Sequence, residues 1–184
     1  MKKYLYTSFL MLLLLITAYE VTVENESSSV ETVSPSQLTK EDKRLLDGVG
    51  MDDVFVFDLD LNNTSSSRID TWIEYYEYGV KKEKIAGIGM ENLLGDTETM
   101  KLIYSRASFN TGEENQEYDR FVISILSDGG IGKGDNVLKR DKIVGGRLTD
   151  KINKAKTLLH GKPQTLAVII ESSGRSMVHR ITSI

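Results

Sequence analysis

Asp58, Asp60 and Asn62 set three oxygen-bearing side chains at alternate positions, directly after the apolar run Val54-Phe55-Val56-Phe57. Alternate residues of an extended chain share a face. The three would therefore line one surface, with Leu59 and Leu61 turned to the other. Carboxylates gathered in this way ligate a hard cation such as calcium or magnesium. They also attack phosphorus while a metal screens the charge. The simplest arrangement is a strand whose solvent face carries Asp58 and Asp60 while Leu59 and Leu61 face the core.

The stretch Val54 to Asp60 resembles the first motif of haloacid-dehalogenase-like phosphatases, in which a buried strand ends in two aspartates. The resemblance implies Asp58 as nucleophile, Asp60 as general acid and magnesium beside them. It departs at Leu61-Asn62, where that family carries Gly-Thr or a close variant, and Gly95-Asp96 lacks the second aspartate of the later metal motif. The same residues resemble the first three ligands of an EF-hand calcium loop. Asn63 stands where that loop needs glycine, and Ile69 where it needs a bidentate glutamate. Asp52, Asp53 or Asp70 would have to complete a looser site.

Two surfaces offer binding chemistry instead. Trp72, Glu74, Tyr76 and Tyr78 share strand parity. Exposed, they form an aromatic platform with a carboxylate, suited to stacking on sugar rings. Buried, they are large side chains filling a core. Between Lys133 and Lys162 there are 9 basic and 3 acidic residues. Arg147, Lys151 and Lys154 there would attract anionic headgroups or envelope polymers, or form a solvated face. A whole-chain charge of −4 speaks against nucleic acid as a partner. With 0 cysteines and 2 histidines, thiolate chemistry is excluded and a zinc site has few ligands. Gly129-Gly130-Ile131-Gly132-Lys133-Gly134 lacks the spacing of a phosphate-binding loop.

The elements that must position these residues are mostly strands. Strands are expected at Val54–Leu61, Ile69–Tyr78, Ile85–Met90, Met100–Phe109 and Phe121–Leu126. Thr165–Glu171 and Met177–Ile181 read as a hairpin. A helix is expected over Thr39–Leu46, capped by Thr39. A second follows from the apolar spacing Leu148, Ile152, Ala155 and Leu159, with Gly161 as its stop. The glycine-rich stretch Asp128–Asp135 reads as a loop. The pattern implies a mostly β, antiparallel sandwich or barrel-like domain with one or two short helices.

The chain opens with Lys2-Lys3, an uncharged apolar run and Thr17-Ala18, the layout of a signal peptide over residues 1–18. Its apolar length, Tyr4 to Tyr19, falls short of the roughly 20 residues of a spanning helix; an uncleaved anchor is the alternative. Residues 19–36 read as a flexible acidic, Ser/Thr-rich spacer, and 37–184 as one β-rich domain.

Leu15-Ile16-Thr17-Ala18 resembles the lipobox of Gram-positive lipoproteins, with Tyr19 where the lipid-bearing cysteine would stand. The layout is similar to that of small exported proteins of that type. The expected function is an extracytoplasmic, non-enzymatic binding or interaction module. Its partner would be an envelope polymer, an anionic membrane surface or another exported protein. A metal-dependent phosphohydrolase using Asp58 and Asp60, and a structural spacer domain, are the competing readings.

Overall fold

The computed structural model describes residues 30–61, 68–91, 100–112, 116–127, 130–140, 146–172 and 176–183. The expected signal, the spacer up to residue 29, residues 62–67 with Asn62, and Gly95-Asp96 lie outside them.

The elements in chain order are β1 (Thr32–Pro35), α1 (Lys40–Gly48), β2 (Asp53–Asp60), β3 (Arg68–Glu77), β4 (Val80–Glu91), β5 (Met100–Asn110), β6 (Glu117–Ser127), β7 (Gly130–Arg140), β8 (Arg147–Lys151), β9 (Lys156–Thr157), β10 (Gln164–Ser172) and β11 (Ser176–Ser183). They build two open antiparallel sheets, ordered β7-β6-β5-β2-β1-β9 and β4-β3-β11-β10-β8. The mostly β expectation holds, as stacked sheets and not as a closed barrel, with one short helix among the described residues.

Period-two patterning makes the core. Phe55, Phe57 and Leu59 of β2, Leu102 and Tyr104 of β5, and Phe121, Ile123 and Ile125 of β6 face inward. They meet Ile69 and Ile73 of β3 and Leu166 and Ile169 of β10 in one cluster. Each such side chain contributes about 1.5–3 kcal/mol by leaving water. Burial also pushes the Tyr104 phenol up, and its hydroxyl bonds Thr71 across the sheets.

The helix-start signal acts as expected, and a tight hairpin turn joins β3 to β4. Thr39 caps α1 through a reciprocal bond pair with Asp42. Tyr78 (φ 52°) and Gly79 (φ 77°) both take positive φ, so β3 and β4 join through the two-residue turn that matches strand twist.

Three expectations are corrected. The fold begins before residue 37: β1 lies inside the expected spacer, and Val33 is fully buried against the core. The isolated valine gains from tertiary packing what its local composition lacks. The glycine-rich stretch is not a loop beyond residue 129; Gly130–Arg140 is β7, in register with β6. The helix expected over Leu148–Leu159 is β8, a bend and β9. Pairing with β10, which sets Leu148 opposite Ile170, overrides the helical spacing, and of that series only Ile152 is buried.

The glycines of β7 have a packing role. Gly132 and Gly134 face the core side, and Ile88 of β4 lies over them: a Cβ on Gly132 would sit 2.8 Å from Ile88 Cδ1, and one on Gly134 would sit 2.4 Å from the Gly87 carbonyl oxygen. The absent side chains let the two edge strands close one side of the sandwich. Gly134→Ala is expected to force them apart and lower stability by about 1–3 kcal/mol in urea unfolding. Gly146→Ala, with nothing within 4 Å, should change little.

Candidate functional site

Asp58 and Asp60 lie on the outer face of β2, while Leu59 and Leu61 are buried, as the simplest arrangement requires. Asp58 accepts from Lys101 Nζ (2.6 Å) and Ser36 Oγ (3.0 Å). Its charge is thus matched by an ammonium. Among the described residues no group of three or more His, Asp or Glu side chains is arranged to hold a metal ion. Asn62 lies outside them.

The aromatic strand takes neither of the two expected forms. Thr71 and Ile73 face the opposite sheet, so Trp72, Glu74 and Tyr76 face outward. Yet Trp72 is only 6% exposed. Lys84 of β4 lies over its ring at 3.8 Å, a cation–π contact. Trp72 Nε1 donates to Glu74 Oε1 (3.0 Å), Tyr76 OH donates to Oε2 (2.7 Å), and Lys81 pairs with the same carboxylate. Burial pushes the Glu74 carboxyl up, but the bonds from Lys81, Trp72 and Tyr76 outweigh it and bring it down to about 2. So held, Glu74 is a fixed anion that orients its neighbours and a poor general base. Tyr78 stands apart, exposed in the turn.

The basic stretch is divided. Lys133 and Lys139 sit on β7, at one edge of its sheet; β9 is at the other edge, and β8 is the edge of the second sheet. Arg147 is committed inward: it pairs with Asp53 and donates to the Asp52 carbonyl (3.0 Å). Lys151 and Lys154 lie on a strap that crosses from β8 to β9. From Lys151 to Lys162 every residue is exposed except Ile152 and Leu158. Those two anchor the strap, with Ile152 N bonded to Leu166 O (2.9 Å) and Leu158 N to Glu31 O (2.8 Å). Lys151, Lys154, Lys156 and Lys162 have no carboxylate partner among the described residues, and no acidic residue interrupts the strap. Lys156 and Lys162 were not singled out in the sequence, because a helical reading scattered them.

One constellation was missed altogether. Arg106 of β5 is 1% exposed. Its guanidinium faces Asp53 (3.1 Å), Glu171 (2.7 Å) and Asp119 (3.6 Å). Arg140 reaches Glu171 at 3.2 Å and Asp119 at 3.7 Å; Ser108 Oγ donates to Asp119 (2.7 Å). Burial works against the Arg106 charge, but Asp119, Glu171 and Asp53 overcome it and hold its pKa up. The signal was strand parity: Arg106 continues the inward series Leu102, Tyr104, and Asp119 the series Phe121, Ile123. Asp53, Arg106, Asp119 and Glu171 are shielded from solvent and join the two sheets.

The fold defines a mostly β domain of two stacked antiparallel sheets with one short helix among the described residues. The chain belongs to the YgaN domain family, whose model matches residues 32–183, from the first residue of β1 to the last of β11. Neither the curated proteins nor the solved structures gave a match.

Two outcomes follow from the side-chain geometry. The folded Glu74 carboxyl titrates near 2, against 4.5 for a free side chain. Its stabilisation is therefore complete above about pH 4.5 and lost as pH falls toward 2. The Tm advantage of the wild type over Glu74→Gln should be full at neutral pH and vanish at the acid end of that window. Arg106→Met leaves buried carboxylates short of a cation and should cost about 3–5 kcal/mol in urea unfolding. Adding Glu171→Met should cost less than the sum of the two single changes.

Proposed function

We propose that this is an extracytoplasmic, non-enzymatic module that docks on an anionic membrane surface through the strap Lys151–Lys162. The observation that carries the reading is a strap anchored at Ile152 and Leu158, with four lysines that lack carboxylate partners among the described residues. Each lysine near an anionic surface contributes about 1 kcal/mol. Two exposed leucines accompany them, Leu148 (62%) and Leu159 (50%), and apolar side chains among lysines suit a headgroup boundary.

The place of the strap in the fold supports the same partner. β9 pairs with β1, and Leu158 bonds Glu31. The strap therefore lies beside the point where the chain enters the domain. The preceding sequence carries the apolar run Tyr4–Tyr19; retained as an uncleaved anchor, it would hold this side of the sandwich toward the membrane through the spacer. A weak tether and a polybasic patch together hold a protein where either alone is marginal. The layout is that of a small Gram-positive exported protein, lipoprotein-like without the lipid cysteine.

The test is flotation of residues 30–184 with vesicles of phosphatidylcholine, with and without phosphatidylglycerol. Binding is expected only with the anionic lipid. It should weaken with added salt and fall about fivefold for each Lys→Gln change at 151, 154, 156 or 162. Equal binding to neutral vesicles, or binding unmoved by the fourfold change, would defeat the proposal.

A further inference from the structure

A second surface, far from the strap in sheet order, has different chemistry. An open groove of about 660 Å³ runs along β3 and β4, within the range of about 300–1,000 Å³ typical of small-molecule sites. Its floor is backbone: Gly87 and Gly89 place no side chain on the outer face. A Cβ on Gly87 would touch Trp72 Cβ and the Thr71 carbonyl at 3.3 Å. One on Gly89 would lie 2.6 Å from Asp70 Oδ1 and 3.0 Å from Arg68 Nη2. The glycines thus leave room above the Thr71 carbonyl, the Trp72 Cβ and the Arg68–Asp70 pair.

The charges decide the class of occupant. Four charged side chains line the groove: Arg68, Lys84, Asp70 and Asp135. They sum to zero, so neither a polyanion nor a cation is favoured as a whole. Arg68 holds Asp70 through two bonds of 2.8 Å, and Asp135 is held by Arg120. Fixed planar carboxylates and a guanidinium present paired acceptors and donors at set positions. Lys84 Nζ adds donors, with the Trp72 ring as its neighbour. A glycine floor beside the Lys84-covered indole, rimmed by oriented donors and acceptors, complements adjacent hydroxyls on a small ring.

We infer that the β3–β4 groove binds a neutral, polyhydroxylated ligand, a short oligosaccharide, with Lys84, Arg68 and Asp70 as its hydrogen-bonding rim. Trp72 is the chain's only tryptophan and lines this groove, so a change in the protein's indole emission arises beside it.

The experiment titrates residues 30–184 with two neutral probes, an N-acetylglucosamine tetramer and maltotetraose. It follows Trp72 emission and the amide NMR signals of Gly87 and Gly89. A saturable emission change with shifts at both glycines is expected with at least one probe. Gly89→Ser, which fills the floor against mobile side-chain ends, and Lys84→Met should each weaken binding about tenfold, the scale of one lost hydrogen bond. Should one variant fail to fold, as judged by its melting curve, the other decides. No saturable change with either probe at millimolar concentration would overturn the inference. So would a change that both variants leave intact.

Discussion

The buried charge network around Arg106 is the constraint on which the sandwich depends. Three carboxylates, Asp53, Asp119 and Glu171, meet three guanidinium groups, Arg106, Arg140 and Arg147. They come from β2, β5, β6 and β7 of one sheet and β8 and β10 of the other. Taking ions out of water costs several kcal/mol each, so the ensemble is tolerable only when the charges balance and the geometry closes. That requirement acts on register. A slip of one residue in any of these strands would turn its charge to the outer face and leave the others unmatched. Apolar packing holds the sheets together, and the network selects which alignment they adopt.

The same reasoning explains what was legible in the sequence. Strong period-two runs, such as Phe55-Phe57-Leu59 and Phe121-Ile123-Ile125, specify both strand and face, and the Thr39 cap specifies a helix start. These are local signals, and the structure keeps them. β7 was illegible because its periodic inward positions are glycines, whose meaning comes from Ile88 and the Gly87 carbonyl on a distant strand. β8 and β9 were misread because Leu148, Ile152, Ala155 and Leu159 follow a helical period by sequence alone. Their environment shows a different division: Ile152 and Leu158 are buried, while Leu148 and Leu159 stand in solvent. A period is evidence only for residues that share a face, and here they do not.

Candidate sites were legible to the extent that their chemistry is local. The aspartates of β2 emerge on one face as their spacing requires, but Lys101 and Ser36, which engage Asp58, come from elsewhere in the chain. Trp72, Glu74 and Tyr76 do converge. Their convergence is self-satisfying: the carboxylate accepts from the indole, the phenol and Lys81. The inward parity of Arg106, Asp53 and Asp119 was visible but carries a cost that argues against placing charges there, until the partners supplied by other strands are known.

This distribution of partners separates scaffold from surface. A charge that is buried and matched works on the fold, because moving it toward a ligand would strand its partner. Arg147 is exposed but matched in the same way, although it lies in the basic stretch, since Asp53 and the Asp52 carbonyl hold it. The strap lysines are the converse. Their backbone is anchored at Ile152 and Leu158, and among the described residues no carboxylate pair holds their ammonium groups back from an outside anion. The β3–β4 groove is intermediate, with paired charges that stay paired while offering their remaining hydrogen-bonding positions outward. On the two proposed readings, polyanion attraction therefore falls to the strap, and recognition of neutral shape to the groove.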